Sequence, residues 1–340
     1  MLSSPLRRCL LTNKVLPSDL LIRFEFVRPP PTSSLPSSSR LSLSPSGILH
    51  PRFDAHHRAR GKGMWVTCWK EAIEALAKKG SYKRVHQSAH LDASTAALRV
   101  HSQLARRVVQ EAEMLAERAK SWPLPPGGGT GFCPVRRLAR DELQGAVEAG
   151  AGEGWRPVAV LNCAQLDDPA LSSQQPFSSA ASFTSAALVP SYRLSRFFAA
   201  VCLPPSLSSS SPAPPSSADL SSSDHLLSSY RAHFDDVIGL WDRRRARLLA
   251  DSASPSSAAL PSRRPNTSSD NLYVLYSPIL PPSTYPLSLS GTASSTSSSV
   301  EAEGPNLLLR RRQAEDVVPV LVALKRCALW LGKGWEVDSK

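Results

Sequence analysis

The chain has 340 residues, 30 of them proline, and its formal net charge of +12 is uneven, with 15 Lys and Arg against 5 Asp and Glu in residues 1–90 and near balance beyond. A length that gives room for about two domains is cut by long serine- and proline-rich tracts, so the folded part is smaller than the chain. Six cysteines without a CxxC pair exclude a zinc ribbon or small disulfide scaffold and point to a reducing compartment, and the most apolar run, "VVPVLVALKRCALWL", is broken by Lys325 and Arg326, so no membrane span is expected.

The N-terminus "MLSSPLRRCLLTNK" has arginines, serines and leucines and no acid before Asp19, a composition that fits a mitochondrial transit peptide. The same residues also read as the start of the fold. In "VLPSDLLIRFEFVR", apolar and polar residues alternate from Ile22 to Val27, which predicts a half-buried strand. Residues 29–47 are expected to form a disordered insertion, because so many Ser and Pro cannot bury enough apolar surface to offset their ordering entropy. "ILHPRF" and "GMWVTC" predict two further strands around the Gly61/Gly63 turn, and Trp69, Ala72, Ile73 and Leu76 place a helix after them. A second helix between Asp92 and Ser121 carries a stripe of Leu98, Ala105, Val108, Ala112, Leu115 and Ala119.

Residues 123–131 read as a linker. Beyond them, a helix near 136–148, a strand "PVAVLNC", a helix "LLSSYRAHFDDVIGLWDRRRARLL", a strand "NLYVLYSPIL" and a helix over 315–331 are separated by Ser/Pro/Ala tracts at 203–223, 251–270 and 280–300. The expected class is α/β: a small two-layer module over 1–90, a helix over 91–122, and a loosely defined α/β region over 132–340 with a partly parallel sheet.

The first 87 residues resemble the YlxR family of small bacterial RNA-binding proteins. "RRCLLTNKVLPSDLLIRF" is similar to the family's opening, with Arg7, Cys9, Thr12, Pro17, Leu21, Ile22, Arg23 and Phe24 at the matching places. "RGKGMWV" resembles its glycine-arginine-glycine loop and the strand after it, through Gly61, Lys62, Gly63, Trp65 and Val66, and "AIEALAKKGSYKR" resembles its closing helix. Lys62 stands where the family has arginine, which keeps the charge but loses the bidentate fork for phosphate. The resemblance implies binding of structured RNA, ribosomal or ribonuclease P RNA being the candidates.

Several residues support that chemistry, each with a plainer alternative. A Gly-Lys-Gly turn lets backbone N–H groups approach a phosphate, with Arg60 and Lys62 beside it; it also reads as a simple hairpin turn. Trp65 suits stacking on an unpaired base or packing in the core. Lys78, Lys79, Lys83 and Arg84 either complement the helix dipole or face phosphate. Arg23, with Arg7 and Arg8, extends the patch or is an ordinary surface charge. His50, His56 and His57 with Cys9 and Cys68 match no metal spacing, and no P-loop, nucleophile elbow or HExxH is present.

The expectation is therefore a non-catalytic RNA-binding protein without cofactor or metal, contacting RNA through Arg7, Arg8, Arg23, Arg60, Gly61, Lys62, Gly63, Trp65, Lys78, Lys79, Lys83 and Arg84, in mitochondria or otherwise in the cytoplasm. The alternatives are a protein-interaction scaffold, with phosphorylated serine tracts and partners docked on the C-terminal helices, and a nucleoid DNA-binding regulator.

Overall fold

A computed structural model describes residues 4–28, 41–54, 63–122, 133–138, 155–163, 217–252, 272–278 and 305–332, with positions 142, 189, 191–194 and 197–198 between them. The fold is α/β with mainly antiparallel sheets. In chain order the elements are β1 (Leu6–Arg8), β2 (Val15–Pro17), β3 (Leu21–Val27), β4 (Ser42–Ser46), β5 (Met64–Thr67), α1 (Lys70–Lys79), α2 (Ala93–Ala119), β6 (Val135–Leu138), β7 (Trp155–Asn162), β8 (Ser191–Arg193), α3 (Ser217–Ser252), β9 (Leu272–Pro278) and α4 (Pro305–Trp330).

The contacts divide the chain into two units, each discontinuous in sequence. One comprises Met1–Glu113, Arg196–Tyr230 and Val320–Lys340, the other Met114–Ser195 and Arg231–Pro319.

The first unit is organised by the sheet β4-β3-β5, antiparallel throughout. Alternation in β3 puts Ile22, Phe24 and Phe26 on one face, and the register sets Val66, Met64 and Leu43 beside them. All but Phe26 are buried, so this is the core face. The opposite face carries Arg23, Glu25 and Trp65, all partly covered, and is fully covered at the Leu21–Thr67 end. The β1–β2 hairpin supplies that cover: the Leu10 N–H donates to the Trp65 carbonyl at 2.8 Å, and Cys9 Sγ is hydrogen-bonded to Thr67 Oγ1 at 3.1 Å.

α1 ends where Gly80 takes the left-handed conformation, φ 61°, and its N–H returns to the Leu76 carbonyl at 2.9 Å. α2 begins at Asp92, whose carboxylate accepts from the Ser94 N–H at 3.1 Å and from the Ser94 and Thr95 hydroxyls. The last turns of α4 belong to this unit too: Arg326 Nη2 donates to the Leu21 carbonyl at 3.2 Å, and the Cys68 thiol donates to the Arg326 carbonyl at 3.5 Å.

The second unit holds a four-stranded sheet in the order β6-β9-β7-β8, with β7 and β8 parallel and the other pairs antiparallel. The central strand β9 is buried along most of its length. Val274 and Tyr276 pack with Leu138, Trp155 and Val160, and on the other side Tyr273 meets Phe234 of α3, ring centroids 5.5 Å apart. The register of β7 on β9 shifts at Pro157, where the missing N–H removes a ladder bond.

Several expectations are corrected. The end of the segment expected to be disordered is β4: Leu43 and Pro45 alternate with serines and are buried, and proline is tolerated because β4 is an edge strand. "ILHPRF" is not a strand but a loop with a single 3-10 turn at Pro51–Phe53, where the proline and the His50 cap favour a tight turn. Residues 135–138, expected to open a helix, form β6 because β9 supplies a partner with matching apolar positions. α3 extends into both flanking serine tracts, and α4 starts at Pro305, since proline suits the first helical position. Residues 29–40, the 123–131 linker and the tract at 280–300 lie outside the described residues.

Candidate nucleic-acid interface

The back face of β3 and β5 gathers four of the expected residues. Trp65 lies opposite Arg23 in the β5–β3 register, so the two side chains share that face, while the neighbours of Trp65, Met64 and Val66, turn to the core. Trp65 is half-buried. The β1–β2 hairpin carries Arg7 to it: the guanidinium carbon is 5.9 Å from the indole centroid, and Arg7 itself is exposed. Arg23 Nη1 is 2.6 Å from Glu25 Oε1, with side-chain exposures of 13% and 21%.

Gly63 fits here for an intramolecular reason. A Cβ at this position would fall on the Nε and Cγ of Arg23, so the arginine side chain lies directly along the glycine backbone. Arg60, Gly61 and Lys62 lie outside the described residues.

A second group of cations stands at the end of α1. Lys78 and Lys79 close the helix, Gly80 reverses the chain, and Lys83 and Arg84 follow in a 3-10 turn at Ser81–Arg84, pinned by buried Tyr82. All four are exposed. The ten-residue helix separates them from the end of β5 by about 15 Å of rise. The negative end of the helix dipole, about half a charge, is offset by one or two cations, which leaves the excess directed to solvent. Arg8 is exposed in β1 and lies across from Val15.

Sequence reasoning passed over Glu25. Its place two residues after Arg23 on an alternating strand puts both on one face, which was the available signal. The thiol of Cys9 is held in the same hairpin; burial raises its pKa, but hydrogen bonds with Thr12 and Thr67 outweigh that and bring it below the ordinary thiol value. Among the described residues, no three His, Cys, Asp or Glu side chains are grouped to hold a metal ion, and no helix is long and apolar enough to cross a membrane. Compared with family models, curated proteins and solved structures, the chain matches none.

Proposed function

We propose that this chain is a non-catalytic RNA-binding protein whose N-terminal part is a YlxR-like module. The observation that carries the reading is the set of exposed cations Arg7, Arg8, Lys78, Lys79, Lys83 and Arg84 in one unit, with Arg7 standing over a half-buried tryptophan. Exposed cations beside an aromatic ring suit a polyanion that also carries planar bases. Arg60, Gly61 and Lys62 are assigned to the same surface by the family resemblance.

Ribosomal or ribonuclease P RNA is the proposed partner and mitochondria the proposed residence. Cleavage after Leu11 would remove β1, together with the Leu10 N–H that satisfies the outer edge of β5, so import in this reading leaves residues 5–18 in place.

The test uses the whole chain, because Arg326, Trp330 and Phe197 all pack within the unit that holds the site. Affinity for a structured RNA and for duplex DNA is measured across a salt series, beside Arg60→Ala/Lys62→Ala and Lys78→Ala/Lys79→Ala/Lys83→Ala/Arg84→Ala. A preference for RNA with a steep salt slope, reduced by about 2–4 in the quadruple variant, supports the reading. Wild-type affinity in both variants, or no binding at moderate salt, overturns it.

A further inference from the structure

We propose that the face formed by Trp65, Arg7 and the Arg23–Glu25 pair takes an unpaired nucleobase, so that the chain selects single-stranded or looped RNA over duplex; this rests on the RNA-binding reading and names its ligand. Trp65 is the aromatic of β5 that does not enter the core. Its in-strand neighbours Met64 and Val66 are buried on the other face, and its register partner is an arginine. The indole is only partly covered and lies between charged residues, and stacking is a contact that the uncovered part of its ring can offer.

The charges around it favour a base over a phosphate. Arg23 is neutralised by Glu25 at 2.6 Å and held along the Gly63 backbone, which leaves this part of the face electrically balanced. A phosphate placed there would be repelled by the Glu25 carboxylate, whose Oε1 is buried against Arg23, whereas a neutral base would not. The unbalanced charge beside the ring is that of exposed Arg7, the side from which a nucleotide's phosphate would be met. At 5.9 Å from the centroid, Arg7 sits at the outer reach of a cation–π contact. It can leave the indole or close over an inserted base with little loss. A duplex hides its base faces within the stack and presents only phosphates to such a surface.

The experiment compares three probes with equal numbers of phosphates on the whole chain: an eight-nucleotide single-stranded RNA, the same backbone without bases, and a short RNA stem. The base-bearing strand is expected to bind about 5- to 150-fold tighter than the abasic strand, the range of one stacked base. Trp65→Leu is expected to erase most of that ratio and Trp65→Phe to keep part of it, with thermal midpoints measured to confirm folding. Equal affinity for strand and abasic backbone in the wild type, or tighter binding of the stem, overturns the base site while leaving RNA binding intact. Absence of salt-dependent binding to all three overturns the RNA reading and this inference together.

Discussion

The indole Nε1 of Trp330 donates to Nδ1 of His101 at 3.3 Å. Because an indole nitrogen only donates, Nδ1 must carry the lone pair, and the ring proton sits on Nε2, which donates to the Phe197 carbonyl at 2.8 Å. His101 is thus held neutral, stacked on the Phe197 ring at 4.2 Å. Burial, offset in part by the Phe197 carbonyl and reinforced by Lys70, pushes its pKa below the ordinary histidine value.

That shift gives stability a definite pH dependence. Below about pH 6.5 the unfolded chain takes up the His101 proton while the folded chain does not. The contribution is therefore complete above pH 6.5 and lost as pH falls toward the depressed folded value. Denaturant midpoints from pH 8 to 5 should decline more steeply in the wild type than in His101→Gln. Trp330→Phe, which leaves Nδ1 of His101 without its donor and a gap where the indole was buried, should cost at least about 1–3 kcal/mol at pH 8. Parallel pH profiles for wild type and His101→Gln would contradict the assignment.

In the second unit, Asp316 joins two groups of the α2 end: Trp122 Nε1 donates to its Oδ2 at 2.6 Å, and Arg118 Nε lies 3.3 Å from its Oδ1. Trp122 is buried, so Asp316→Ala strands an indole N–H away from water. Chemical denaturation should show a loss of about 1–3 kcal/mol. Asp316→Asn retains one acceptor oxygen and should fall between alanine and wild type.

Gly80 ends α1 at φ 61°, and a Cβ there would meet only Lys83 Cδ at 3.7 Å, an ordinary contact. The cost of Gly80→Ala is backbone strain alone, about 1–2 kcal/mol. Asn, which tolerates this conformation, should recover part of it. Thermal melts of the three proteins read the order directly; alanine equal to glycine would mean that the helix end rearranges.

The legible parts of the fold are those with a strong period. The alternation at Ile22–Phe26 placed β3, and the stripe from Ala105 to Ala119 placed α2 with its buried face, because each pattern matches one regular structure. β4 was hidden because serine fills its other face and two apolar positions make a short signal. β6 depends on β9, far along the chain, so nothing local announces it. The candidate site divides the same way. The cations at the end of α1 follow from helix length and the glycine after it. The side on which Trp65 emerges does not, since Met64, Trp65 and Val66 are all apolar, and only pairing with Arg23 decides it. Arg7 reaches the indole through a hairpin whose anchor, Cys9 on Thr67, is equally long-range.

Gly63 separates two explanations of the same residue. In the family resemblance, glycine here opens the backbone to a phosphate, whereas in the fold its missing side chain makes room for Arg23. Gly63→Ala must move the arginine side chain and so disturb its 2.6 Å pair with Glu25. Because that pair is mostly covered, the stability loss should exceed the roughly 0–1 kcal/mol of a surface ion pair. If the crowding of Arg23 is the cause, Arg23→Ser/Gly63→Ala should be no less stable than Arg23→Ser alone, the coupling expected of residues in contact. RNA affinity of the pair then reads the other role. Arg23→Ser with near wild-type binding and the double variant weakened would assign Gly63 to the phosphate; equal binding by both would assign it to Arg23.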